Sequence, residues 1–464
     1  MSHIKTHSHP VASLFQSLAE TVAKRMDERI DAPGTARPTV DHPVADAAST
    51  IAGHIAAGED VPPAPSTDLT AKHGAGVKDL WDCISTSAKI LVARTAKDTE
   101  KAQQLEDDLR FSTCDPLWIE ATTDYVRYFG LEGKKREIPY VRYQHLDDFV
   151  IDRLPANARI ALVGDWGTGT QDAIDLLEQV AKHDPDVLIH LGDIYYAATP
   201  DECQKYFLDI VDRVFDRGSG GVPAYTLCGN HDVYSGGVGY YGILPKLNPA
   251  PPFAAEWAQQ ASYFALRSPR WQLLAMDTGL HDQDPFDVNK SVTYLDPQEE
   301  AWHIDKIRRF SQKGGRTILL SHHQLFSAFS AIGKGAINEK LQESWQKFQA
   351  AGGASGIAAW FWGHEHNLCV YEPFAGLEKG RCIGHGAIPA FLSPSPYQAL
   401  ANIEPLPALV DDPLQPGKKL ELAATGSVYD HGFVILELDD AALTAKASYY
   451  QASQPDRAMF EEQL

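Results

Sequence analysis

Five short strings, each closing an apolar run, constrain this chain more than any other feature. They are Gly164-Asp165-Trp166-Gly167, Gly192-Asp193-Ile194-Tyr195-Tyr196, Gly229-Asn230-His231-Asp232, Leu319-Leu320-Ser321-His322 and Gly363-His364-Glu365-His366. The runs before or within them, Ile160 to Val163, Val187 to Leu191, Ala224 to Leu227, Ile318 to Leu320 and Ala358 to Trp362, read as buried strands. Loops beyond the carboxyl ends of strands in an α/β sheet converge on one crevice, so residues distant in sequence meet there. The five strings therefore predict a single site.

Composition narrows what that site serves. The chain has 464 residues, enough for two or more domains, and its 44% hydrophobic and 22% charged content is ordinary for a globular protein. Its 62 acidic residues against 41 basic ones give a net charge of -21, which repels nucleic acid and anionic lipid over most of the surface. A phosphate-bearing small molecule then needs a local positive centre, which bound metal ions supply. No stretch approaches the roughly 18 apolar residues of a membrane span, and the start Met-Ser-His-Ile-Lys turns polar at once, so the expected location is cytoplasmic. Six cysteines, none in a CxxC pair, suggest neither a disulfide framework nor a zinc ribbon.

Two regions are expected. Residues 1–155 read as a helical N-terminal segment, with amphipathic spacing from Val11 to Ile30 and from Val77 to Val92, a third helix over Pro116 to Phe129, and a Pro/Ala-rich linker at about 31–66. These helices offer a contact for an oligomer or a partner. Residues 156–464 alternate strands with helices, an α/β pattern: strands near 159, 187 and 224, helices over about Thr170 to Lys182, Pro200 to Phe215 and Pro297 to Gln312, and strands at Tyr263 to Arg267, Trp271 to Asp277 and Ile318. Later strand candidates are Val370 to Glu372, Arg381 to Ile383, Gly432 to Leu438 and Ala442 to Tyr449, with the Pro-rich stretch Pro389 to Val428 read as a long surface loop near the site.

The side chains gathered by the strings are carboxylate, imidazole, amide and phenol, the donors that hard and borderline cations prefer. The inventory is Asp165, Asp193, Tyr196, Asn230, His322, His364 and His366. Two metal ions about 3.5–4 Å apart need a bridging anion, and a carboxylate on a central strand, Asp193, suits that place. His364 and His366, at i and i+2, point the same way in extended backbone, so each reaches a different ion of a pair.

In this order the strings resemble the calcineurin-like metallophosphoesterase superfamily, and more closely the purple acid phosphatases. The superfamily opens with Asp-x-His; here Gly167 replaces that histidine, while Tyr196 stands three residues after Asp193, where purple acid phosphatases carry a tyrosinate ligand. The resemblance implies a four-layer sandwich of two β-sheets flanked by helices over roughly residues 158 to 450. It implies Fe(III) held by Asp165, Asp193, Tyr196 and His366, and Fe(II), Zn or Mn held by Asp193, Asn230, His322 and His364. His231 resembles the histidine that contacts phosphate, with Asp232 orienting its ring.

The implied activity is hydrolysis of a small phosphate ester by a metal-activated water, with His231 or His323 protonating the leaving group. A phosphomonoesterase is the leading expectation. The nearest rival is a phosphodiesterase acting on nucleotides or phospholipid head groups, and a non-catalytic interaction scaffold is the rival from another class. Trp166, Trp360 and Trp362 read as core, and Asp277 as a support for the site or a cap.

Overall fold

The computed structural model describes residues 138–464, apart from 283–291, 354–355, 391, 393–394 and 427. By its internal contacts the chain divides into Met1–Val126 and Arg127–Leu464, and every described residue belongs to the latter. The expected N-terminal helices and the linker at 31–66 lie outside the described residues.

Strand β1 (Val150–Ile151) is followed by β2 (Arg159–Val163), helix α1 (Gln171–Ala181) and β3 (Val187–His190). Helix α2 runs through Pro200–Glu202, a π-helical stretch Cys203–Leu208 and Asp209–Val214. Then come β4 (Ala224–Thr226), α3 (Val238–Leu247), β5 (Phe264–Arg267), β6 (Trp271–Ala275), α4 (Pro297–Gln312), β7 (Arg316–Leu320), α5 (Glu339–Gly352) and β8 (Ile357–Trp362). Strands β9 (Leu368–Val370), β10 (Gly380–Ile383), β11 (Ala424–Thr425), β12 (Val428–Tyr429), β13 (Gly432–Asp439), β14 (Thr444–Gln451) and β15 (Phe460–Gln463) complete the chain.

Two mixed sheets result, one ordered β1-β5-β6-β7-β8-β10-β9 and the other β15-β14-β13-β2-β3-β4. Side-chain alternation explains why they stack. Ile160 and Leu162 of β2 join Ile318 and Leu320 of β7 in the core between the sheets. Ala161 and Val163 turn outward against Leu176, Leu177 and Val180 of α1, while Leu319 turns outward towards Trp302 and Ile307 of α4. Helices α1 to α3 thus cover one sheet and α4 and α5 the other, giving the expected four layers of a metallophosphoesterase-type sandwich.

Local sequence accounts for the helix ends. Thr170 caps α1 by accepting the Ala173 amide. Thr199 and Glu202 form a capping box at the start of α2, with Pro200 in the first turn. Among its described residues the stretch 389–428 holds only β11 and the start of β12, but it is more than a surface loop: Leu409, Leu420 and Leu422 are buried, and the Val410 amide bonds the Val370 carbonyl of β9. Among the described residues no helix is long and apolar enough to cross a membrane.

Candidate metal centre

The candidate ligands lie at the carboxyl ends of β2, β3 and β4 on one sheet and β7 and β8 on the other. Asp165, Asp193 and His364 each take a left-handed backbone, with φ of 54°, 73° and 66°. Such conformations cost a non-glycine residue of order 1 kcal/mol and cluster at functional sites. The glycines of the strings have a different role, which is to leave room. A Cβ on Gly229 would lie 2.1 Å from the Asp193 Oδ1 atom, and one on Gly363 would lie 2.5 Å from Asp165 Oδ2, so the first clears space for a carboxylate after the neighbouring strand and the second for a carboxylate from the opposite sheet.

The donor atoms fall into two groups that share Asp193. In the first, the Tyr195 hydroxyl donates to Asp165 Oδ1 at 3.0 Å and Asp193 Oδ2 at 3.1 Å, and lies 3.2 Å from His366 Nε2, which is 3.6 Å from Asp165 Oδ1. In the second, Asn230 Oδ1 lies 3.1 Å from His322 Nε2 and 3.0 Å from His364 Nδ1. The two ring nitrogens are 3.3 Å apart, and His322 Nε2 is 3.3 Å from Asp193 Oδ2. Ligands about 2.0–2.2 Å from one ion stand roughly 3 Å from each other, so both groups have the spacing of a coordination sphere.

The chemistry of the second group also calls for a cation. His322 Nδ1 donates to the Leu191 carbonyl at 2.9 Å, turning the Nε2 lone pair inward, and Asn230 Nδ2 donates to the Tyr234 hydroxyl, turning its oxygen inward. Acceptors at hydrogen-bond distance need a proton or a metal between them. In the metal-free chain a proton takes that place: burial opposes charge on His322, but the Asp193 carboxylate overrides it and raises the ring to about 9. Burial likewise works against ionised Asp193, yet His322 and then His231 hold its carboxyl well below the usual range. Burial pushes Asp165 up to about 7 and His366 down to about 3, and it keeps His364 well below the ordinary imidazole value. Imidazoles and carboxylates gathered in a largely buried site, with His364 and His366 partly exposed at its edge, fit a pair of metal ions.

Three expectations are corrected. The phenol meeting the two carboxylates belongs to Tyr195 rather than Tyr196. The turn after Asp193 is fixed by Glu202, whose carboxylate accepts the Tyr196 amide at 2.6 Å and the Ala197 amide at 3.2 Å, and by the Ala198 amide bonding Ile194 O. The turn held in this way presents the Tyr195 hydroxyl to the two carboxylates. Next, Asp232 does not orient His231. Its carboxylate accepts the amides of Asp193, Ile194 and Gly229, tying two ligand loops together, and the His231 ring is held by its Nδ1 donating to Tyr196 O at 2.6 Å. Finally, His364 and His366 do reach different groups, but through a bend at His364 rather than extended backbone.

His323 follows a ligand and packs its ring 4.5 Å from that of His364. Its Nδ1 lies 3.0 Å from Thr278 Oγ1 and its Nε2 lies 2.9 Å from Asp282 Oδ2, so both nitrogens are engaged. Thr278 and Asp282 carry no sequence signal for this role. Glu202 does, because Thr-x-x-Glu is a capping box. Asp277 supports the same loop by accepting the Gly279 and Leu280 amides, whereas Trp166, Trp360 and Trp362 are fully buried core.

Residues 158–368 match the family model of the calcineurin-like phosphoesterases, and the chain carries a domain of that family. Similar solved structures include a purple acid phosphatase from yellow lupin (Lupinus luteus) seeds, 17% identical, covering 67% of this chain and 54% of that one, with a TM-score of 0.40. A dimetal phosphatase from Danio rerio is 12% identical over 66% of this chain and 98% of that one, TM-score 0.40. GAP50, the anchor in the inner membrane complex of Plasmodium, is 13% identical over 67% and 89%, TM-score 0.42. This chain therefore spans about half the length of the lupin enzyme. No curated protein sequence matches the chain.

Proposed function

We propose that the chain hydrolyses phosphate monoesters at a two-metal centre, in the manner of an acid phosphatase. The observation that carries this reading is the pair of donor groups, Asp165, Asp193, Tyr195 and His366 on one side and Asp193, Asn230, His322 and His364 on the other, with Asp193 common to both. Bound cations supply the charge that lowers the pKa of water towards neutrality and clamps phosphate oxygens. Iron suits the group with two carboxylates and a phenol, and a divalent Fe, Zn or Mn the more neutral one.

The remaining residues position and protonate. Since both nitrogens of His323 are engaged by Thr278 and Asp282, His231 is the better donor to the departing alkoxide: its Nδ1 is tied to Tyr196 O and its Nε2 lies 4.0 Å from Asp193 Oδ2. A cytoplasmic location is part of the same reading, supported by four described cysteines that are all free thiols.

The deciding experiment compares kcat/KM for p-nitrophenyl phosphate and bis-p-nitrophenyl phosphate after loading with metal. A preference for the monoester of tenfold or more is expected. A diester preference would reassign the protein to the phosphodiesterases, and hydrolysis of neither would favour an interaction scaffold.

A further inference from the structure

Cys369 and Cys382 stand directly opposite each other in the antiparallel β9–β10 ladder. Facing residues in such a ladder point to the same side with Cα atoms about 4.5–5.5 Å apart, inside the roughly 4.4–6.8 Å window of a disulfide. Both are free thiols and fully buried. They lie under the loop bearing His364 and His366. The Cys382 thiol has three carbonyls in reach of its one hydrogen, those of Gly363 at 3.5 Å, Glu365 at 3.4 Å and Asn367 at 3.7 Å, and the Cys369 thiol donates to Asn367 Oδ1 at 3.2 Å.

We propose that Cys369 and Cys382 form a reversible disulfide that loosens the 363–367 loop and so lowers metal retention by His364 and His366. The effect on metal rests on the two-metal reading above; the disulfide does not. Forming it breaks two S–H bonds and makes one S–S bond. The two electrons pass to a small-molecule disulfide, which leaves as two thiols with the two protons, through a mixed disulfide at one of the cysteines. Oxidation takes away the two thiol hydrogens that the loop's acceptors share, while a disulfide sulfur has none to give.

Burial slows attack but does not prevent it, because β9 is an edge strand. Among the described residues its only strand partner is β10, and its outer side is held by loop contacts: the Val410 amide on Val370 O, and the Tyr397 hydroxyl bonded to Leu368. Such an edge opens at lower cost than the strands inside the sheet.

The test uses the full chain loaded with Mn²⁺ and equilibrated in ratios of oxidised to reduced glutathione. Disulfides are mapped by mass spectrometry after alkylation under denaturing conditions, and Mn²⁺ retained through gel filtration is measured alongside. The expected result is a peptide pair joined through Cys369 and Cys382, with retained Mn²⁺ falling at least threefold as that link fills, and no such fall in Cys369→Ser. A folded chain that never gives the link at any ratio overturns the proposal. A link formed with unchanged Mn²⁺ retention overturns the coupling. Mn²⁺ retained in neither state, with the link formed, supports the disulfide and counts against the two-metal reading instead.

Discussion

At the residue scale, the site is defined by which atoms are forced close together. The Asp193 Oδ1 atom lies 2.1 Å from where a Cβ on Gly229 would stand, so Gly229→Ala pushes aside the carboxylate proposed to be shared by the two metals. Overpacking of this kind costs about 1–3 kcal/mol. The expected outcome is a Tm lowered by several degrees and less than one metal ion retained per chain, read by calorimetry and elemental analysis; two retained metals would mean that Asp193 is not shared. Spacing alone names Tyr196 as the phenolate ligand, whereas Tyr195 holds its hydroxyl 3.0 and 3.1 Å from the two carboxylates. After reconstitution with ferric iron, Tyr195→Phe should abolish a visible charge-transfer band and Tyr196→Phe should leave it in place. The reverse result would return the ligand to the position that spacing indicates.

At the scale of elements, the two sheets are joined away from the metal centre by a second polar contact. Glu462 on β15 accepts Arg381 Nε at 2.6 Å and Nη2 at 2.8 Å from β10 of the opposite sheet, with Lys379 Nζ at 2.9 Å. Burial alone would raise the Glu462 carboxyl, but the Arg381 and Lys379 contacts outweigh it and bring it down to about 2. A carboxyl depressed in the folded state stabilises the fold fully above its unfolded value, about 4.3, and that stabilisation disappears as pH falls through about 2. Glu462→Gln should therefore cost about 3 kcal/mol near pH 7, with the gap to wild type closing between pH 4.5 and 2, measured by urea unfolding at each pH. A gap independent of pH would show that the charge contributes nothing. Helix α5 belongs to this scale as well. Asn338 caps it, Leu341, Trp345 and Phe348 repeat at helical spacing, and Gly353 follows it, so its signals are as plain in the sequence as those of α4.

At the scale of the whole molecule, the candidate ligands come from both sheets, with Asp165, Asp193 and Asn230 on one and His322, His364 and His366 on the other. Metal ions held there bind only the folded arrangement, so metal should raise stability by mass action, about 2.7 kcal/mol at a free concentration one hundred times Kd. Addition of Mn²⁺ or Zn²⁺ to the metal-free chain should raise Tm by several degrees, and EDTA should reverse it. An unchanged Tm with metal demonstrably bound would place that metal outside the inter-sheet site.

What the sequence determined by itself follows from short-range rules. Period-two and period-3.6 apolar spacing locates the strands and helices, and Pro297–Gln312 is visible to the residue from an Asp-Pro start and its apolar repeat. Glycine beside a polar ligand type at strand ends indicates where the carboxylates and imidazoles gather. The three-dimensional arrangement decided what depends on direction and on partners far along the chain. A single turn fixed by Glu202 selects Tyr195 over Tyr196, Asp232 spends its carboxylate on backbone amides of two loops, and His323 is engaged by Thr278 and Asp282 from the loop after β6. Each of these outcomes depends on a partner brought in from far along the chain, and no local pattern encodes which of two adjacent tyrosines finds a buried carboxylate waiting.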